Sequence, residues 1–245
     1  MAETNVHFDR LGPSDASRPM LVGEIEGART NYHRLVEGTR LDLAANRSEL
    51  TVLFLLSGAA TLASADYIAR FDHKVAFVQK PGIAASVTTY GPTELLEIGW
   101  ALYDDDNLGD TQYPLVQVYK DCPQYRDYFK SDKTISRTIV GPHVLPRFCM
   151  GAVQSYGPDR IEPHAHPMLD QLFFSLPEND IDLLIDDERH NLGGNTLLHI
   201  PLGSNHGVDV ADGKAMHYIW IDFFQNRSDM DYIASVHKDV PNREF

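Results

Sequence analysis

No apolar run of about 18 residues occurs in this 245-residue chain, so the sequence offers no membrane span. The opening MAETNVHFDR lacks a basic n-region and an apolar h-region, and no secretory signal is expected. Cysteine is nearly absent. A chain of this length does not need a Cys122–Cys149 staple, and reduced thiols in a cytoplasmic protein are expected. Basic residues are short in number and unclustered: 21 against 35 acidic, for a net charge of −14. A surface of that sign repels phosphate backbones, so nucleic acid is not an expected partner. The sequence contains no GxGxxG, no GxxxxGK[ST] and no GxSxG. Dinucleotide redox chemistry, P-loop phosphate transfer and a serine-nucleophile elbow are therefore not expected. Helical periodicity is weak as well; the two candidates are QYRDYFKS (124–131) and a short helix around SDMDYIASVHK (228–238).

What the chain has is strand-like sequence. LTVLFLLSG (50–58), KVAFVQ (74–79), TELLEIGWAL (93–102), RFCMGAVQSY (147–156), LDQLFFSL (169–176), IDLLID (181–186), TLLHIP (196–201) and HYIWIDFF (217–224) are short, β-branched or aromatic, and punctuated by Gly, Pro, Asn and Asp. An all-β antiparallel fold is expected. The acidic YDDDNLGD (103–110) breaks the pattern, so 103–135 reads as a connector between units 1–102 and 136–245. The flanking organisation repeats. Pro81 stands 28 positions after Leu53 and Pro201 stands 29 after Leu172, and each proline lies five residues ahead of Ser86 or His206. This fits an internal duplication.

The chemistry concentrates in IEPHAHPMLDQLFFSL and NTLLHIPLGSNHGV. Residues i and i+2 of a strand point the same way, so His164 and His166 can offer two imidazoles to one ion. Pro163 and Pro167 place this pair at a sheet margin. Gln171 opens an apolar strand, and His206 follows the turn-forming PLGSN. Together these four suggest a site for one divalent metal ion, with manganese, iron, zinc and nickel all chemically reasonable.

His164-Ala165-His166, then Gln171, and Pro201-Leu202-Gly203-Ser204-Asn205-His206 resemble the two motifs of the cupin superfamily. The resemblance implies two jelly-roll barrels in one chain, a bicupin, with metal in the C-terminal barrel on His164, His166, Gln171 and His206. Three departures stand out. Gly157 lies one residue further from the histidine pair than the pattern asks, Glu178-Asn179 replaces the glycine after the first motif, and Gln171 replaces the usual glutamate. Asp170 is the alternative fourth ligand, at the cost of a register shift. In the N-terminal unit Ala45, Arg47, Val52 and Ser86 fall at the ligand positions, so that barrel is expected to hold no metal; His33 and His73 do not restore one.

Three further residues are candidates for catalysis. Arg160 could clamp a substrate carboxylate. Tyr218 and Asp222 share a strand face with Trp220, a face able either to line a pocket with an acid/base group or to serve as core. His199 reads as a core histidine, His190 as a surface one, and Arg147 and Cys149 as packing residues. The resemblance implies a metal-dependent enzyme acting on a small hydroxy acid, keto acid or sugar acid by isomerase or lyase chemistry. An iron dioxygenase and a non-catalytic small-molecule-binding cupin are the alternatives. The expected assembly is a homodimer.

Overall fold

The structure is a computed structural model and describes residues 6–244. Strand dominates it, and among the described residues no helix is long and apolar enough to cross a membrane. The chain divides into two compact units, Met1–Gly12 with Pro123–Phe245, and Pro13–Cys122.

The unit containing the C-terminal half has an eight-stranded antiparallel sheet. Its order is Phe8–Arg10, Thr196–Ile200, Leu169–Ser175, Ala215–Phe224, Phe148–Tyr156, Ile135–Leu145, Gln124–Arg126 and Lys238–Val240. A four-stranded sheet, Asp159–Ala165, Asn205–Val210, Asp180–Ile185 and Glu188–Gly193, completes the unit. Between them lies a core in which Ile161, Leu183 and Val208 meet Phe173, Leu198 and Trp220. The smaller sheet shows why its strands form. Along Asp180–Ile185 burial alternates residue by residue, with Ile181, Leu183 and Ile185 inward. Ala215–Phe224 is buried at every position after the first, which is why apolar residues fall on both of its faces.

The other unit repeats this plan. Leu115–Val118, Val75–Gln79, Glu49–Ser57, Thr93–Ala101, Ala28–Leu35 and Arg18–Met20 form one sheet. Arg40–Leu43, Ala85–Thr89, Ala60–Ser64 and Tyr67–Phe71 form the other. Strand for strand, both sheets follow the order of their counterparts.

Three expectations need correction. In neither unit do hydrogen-bonded strand pairs link the two sheets among the described residues, so each unit is an open two-sheet sandwich instead of a closed barrel. The unit bounds also differ from the 1–102 and 136–245 division. Phe8–Arg10 pairs with Thr196–Ile200 in the C-terminal unit, and Leu115–Val118, from the expected connector, pairs with Val75–Gln79. A three-residue strand carries too little pattern to reveal its partner. Finally, 124–131 is not a helix. Gln124–Arg126 is a strand held on both sides, by Ile135–Leu145 and Lys238–Val240. Asp127 Oδ1 then accepts the Phe129 backbone N–H at 3.0 Å, a local turn that competes with helix formation. The C-terminal helix is present but shorter than expected, at Met230–Val236.

Candidate metal centre

Two local devices set the histidines. Asp159–Ala165 pairs with Asn205–Val210 so that His164 and His206 are direct register partners, after a shift between Ile161 and His164. Pro163 sits in that irregularity, where its missing N–H breaks no ladder bond. Gly207 lies against it, and a Cβ there would come within 2.8 Å of the Ile161 carbonyl. Ahead of His206, Ser204 N–H donates to the Pro201 carbonyl at 3.0 Å and Gly203 takes φ +77°. Only glycine adopts that third turn position freely. The Pro-Leu-Gly-Ser turn thus delivers His206 opposite His164.

His164, His166 and His206 present ring nitrogens that all lie within 4.8 Å of one another. Ring centroids are 4.9 Å apart for His164–His166, 4.8 Å for His164–His206 and 5.4 Å for His166–His206. Two of the rings have a fixed tautomer. His164 Nδ1 lies 2.8 Å from the Glu162 carbonyl, and His206 Nδ1 lies 3.2 Å from the Ser204 carbonyl. A carbonyl only accepts, so each Nδ1 carries the proton and each Nε2 keeps a bare lone pair. Burial and then the neighbouring imidazoles push His166 down to about 2 and His206 to about 3; burial also lowers His164. All three are therefore neutral near pH 7, as metal binding requires.

Gln171 lines the same cavity as the three histidines. It lies on Leu169–Ser175, is buried, and donates its Nε2 to Asp222 Oδ1 at 2.6 Å. That bond fixes which end of the amide faces which way, and Gln171 Oε1 is left buried with no protein partner. His166 Nδ1 is also buried without one. Orphaned buried acceptors beside three neutral imidazoles fit a divalent cation of borderline hardness. Asp170 points elsewhere; its Oδ1 is 3.6 Å from His199 Nε2 and it does not line the cavity. The alternative ligand is therefore not brought to the site.

The cavity beside this cluster has a volume of about 50 Å³. Tyr218, Trp220 and Asp222 line it from a single strand face, and Tyr218 and Trp220 belong at the same time to the hydrophobic core of the unit. Burial pushes the Asp222 carboxyl up to about 7, against the lowering pull of the Gln171 bond and of Lys130. Tyr218 is stacked on Phe173 with centroids 4.3 Å apart. Arg160 is a correction. Its guanidinium is at the surface, paired with Glu162 at 3.1 Å and Asp209 at 2.8 Å, and it does not line the cavity. The outward ladder of alternating charges on that sheet holds it there.

Sequence reasoning missed the opposite wall. Tyr125, Asp127, Phe129, Lys130 and His237 line it. Phe129 stacks on His164 at 4.1 Å and 14° between planes, and Tyr125 stacks on His237 at 3.7 Å. Lys130 Nζ donates to Asp127 Oδ2 at 2.5 Å and to Tyr125 Oη at 3.2 Å. Burial alone would lower the ammonium, but Tyr125 and Asp127 hold it above the usual lysine range. The available signal was Asp127 and Lys130 three residues apart between aromatics, which also suits an exposed helix.

In the N-terminal unit no comparable cluster exists among the described residues. Polar groups there satisfy one another: Arg29 pairs with Glu49 at 2.7 Å and with Glu97 at 2.6 Å, and His33 Nε2 lies 2.6 Å from Glu97.

No known family profile matches the chain, and no curated protein matches it. Solved structures do. An IolB-like protein from Salmonella typhimurium superposes with a TM-score of 0.74 at 13% identity, covering 90% of this chain and 93% of its own. The oxalate decarboxylase of Lactobacillus farciminis gives 0.67 at 11% identity over 91% and 82%. A cupin 2 conserved barrel domain protein from Leptotrichia buccalis gives 0.58 at 13% identity over 86% and 88%. At such identities the likeness shows the fold, and the fold is of cupin type.

Proposed function

We propose that this chain is a bicupin enzyme that holds one divalent metal in its C-terminal unit and converts a small hydroxy or keto acid by isomerase or lyase chemistry. One observation carries the reading: two imidazoles whose Nε2 lone pairs are set free by backbone carbonyls converge with His166, in a cavity also lined by Gln171, whose Oε1 is unpaired. His164, His166, His206 and Gln171 Oε1 would hold the ion, and manganese, iron, zinc and nickel all suit the donors. When bound, it supplies a Lewis acid for a substrate oxygen.

The rest is done by the chain. Asp127 on the cavity wall is paired with Lys130, and Asp222 is the second carboxylate there, which exchanges a proton with the substrate at its carboxyl oxygen. Its bond to Gln171 engages the amide nitrogen and leaves the amide oxygen free for the ion. Tyr218, Phe129 and Phe173 form aromatic walls that exclude water. A cavity of about 50 Å³ has room for roughly three to five water-sized groups. That favours a short acid over a sugar acid. The name of one fold neighbour, an oxalate decarboxylase, points to small-acid chemistry on the same fold and supports the lyase side.

Metal analysis of the purified chain, combined with oxygen consumption in the presence of short hydroxy and keto acids, tests the reading. Near-stoichiometric metal and turnover without oxygen uptake are expected. Iron with substrate-dependent oxygen uptake would select a dioxygenase, and absence of metal a binding module.

A further inference from the structure

Lys130 is the one ammonium on the cavity wall, and its surroundings are not those of a surface lysine. Its side chain is only 10% exposed and that of its partner Asp127 only 6%. An ammonium has three N–H donors. Two are used, on Asp127 Oδ2 and Tyr125 Oη. The structure prescribes no third protein acceptor among the described residues, and Lys130 lines the cavity.

The charge balance points the same way. Asp127 and Lys130 offset each other on one wall of the cavity, and the Gln171 amide on its lining carries no charge. A glutamate in place of Gln171 would cancel part of a dication's charge; the amide cancels none. With a dication bound, Asp222 is the only remaining acid on the wall, and a buried excess of positive charge calls for an anion.

We infer that Lys130 recognises the carboxylate of the substrate through its third N–H, so that the ligand is a short acid bound with its carboxylate toward Lys130 and its reacting oxygen toward the histidines. This rests on the function proposed above and adds the group that selects an acid over a neutral analogue. Asp127 and Tyr125 are then positioning residues that aim the ammonium. Phe129, beside Lys130 in sequence and stacked on His164, ties the two ends of the cavity to one segment.

Glycolate and its neutral analogue glycolamide are the probes, titrated calorimetrically into the full chain loaded with Co(II). Metal content is measured on the same samples. In Lys130→Met the preference for glycolate over glycolamide should fall about tenfold, the size of a lost charge-assisted hydrogen bond, with metal content unchanged. Since that variant strands Asp127, the pair Lys130→Met with Asp127→Asn serves where the single variant does not fold. A third measurement needs no variant: glycolate, but not glycolamide, should slow acetylation of Lys130 by acetic anhydride, read by mass spectrometry. An unchanged preference, or no protection by glycolate, overturns the inference and leaves the metal centre standing. If the wild type takes up no Co(II), the metal reading fails, and the same two comparisons on the metal-free protein decide the role of Lys130.

Discussion

Gln171 and Asp222 are register partners on neighbouring strands, and the amide of the first donates to the carboxylate of the second at 2.6 Å. Each thereby fixes the other. The bond points Gln171 Oε1 away from Asp222, and it gives a buried carboxylate its one donor from a neutral side chain. Glutamate at 171 keeps the reach but loses this donor and sets two buried carboxyls side by side.

For Gln171→Glu the metal-free protein should therefore be less stable by about 1–3 kcal/mol, the cost of leaving a buried polar group unpaired. Added Mn(II) should raise its melting temperature more than that of the wild type, because a carboxylate answers a dication better than an amide does. Thermal melts with and without metal check both halves. Equal metal-free stability would show that the hydrogen bond contributes nothing.

His164→Ala and His206→Ala should each abolish stoichiometric metal while keeping a β-rich far-UV spectrum. The imidazoles sit at the end of the four-stranded sheet, and the core of Ile161, Leu183 and Val208 does not depend on them. Arg160→Ala, by contrast, should leave metal content unchanged, since its partners are Glu162 and Asp209 at the surface. Elemental analysis of the three variants distinguishes these outcomes.

The difference between Arg160 and the histidines shows what was legible in the sequence. His164, His166 and His206 are placed by short-range geometry: strand alternation, a proline at an irregularity, a turn that needs Gly203. Such features are written in consecutive residues. Gln171 and Asp222 were legible for the same reason, as inward positions of strands. Lys130 and His237 were not. They reach the cavity because Gln124–Arg126 pairs with Lys238–Val240, a contact between three-residue strands more than a hundred positions apart. The pairing of Phe8–Arg10 with Thr196–Ile200 and of Leu115–Val118 with Val75–Gln79 was hidden in the same way.

Metal-free protein should lose stability as the pH falls below about 6.5, the ordinary histidine value. In the fold His166 and His206 titrate only at about 2 and about 3, so between those values and 6.5 the unfolded chain binds more protons than the folded one. The stability is present above 6.5 and is lost progressively on acidification. His166→Gln removes one such group and should flatten the decline between pH 7 and 5 in melts followed by circular dichroism. A slope as steep as that of the wild type would mean that His166 is already protonated in the folded state.

Asp222→Asn separates proton transfer from scaffolding. Asparagine keeps the shape, and its Oδ1 can still accept from Gln171 Nε2, so the amide orientation and the metal content should survive. What is lost is a group able to take up and return a proton within the cavity. With pyruvate in D2O as the probe, the metal-loaded wild type is expected to exchange the methyl protons next to the carbonyl, followed by NMR. The variant should be slower by about 10²-fold or more, the usual contribution of a positioned acid/base group, with glycolate affinity little changed. Tyr218→Phe removes a second ionisable group from the same face but leaves Asp222 in place. It should cost much less, because the Tyr218 hydroxyl is pushed well above its usual range by burial and keeps its proton near pH 7. Equal losses in the two variants, or a loss of metal in Asp222→Asn, would assign Asp222 to holding Gln171 in place and not to moving protons.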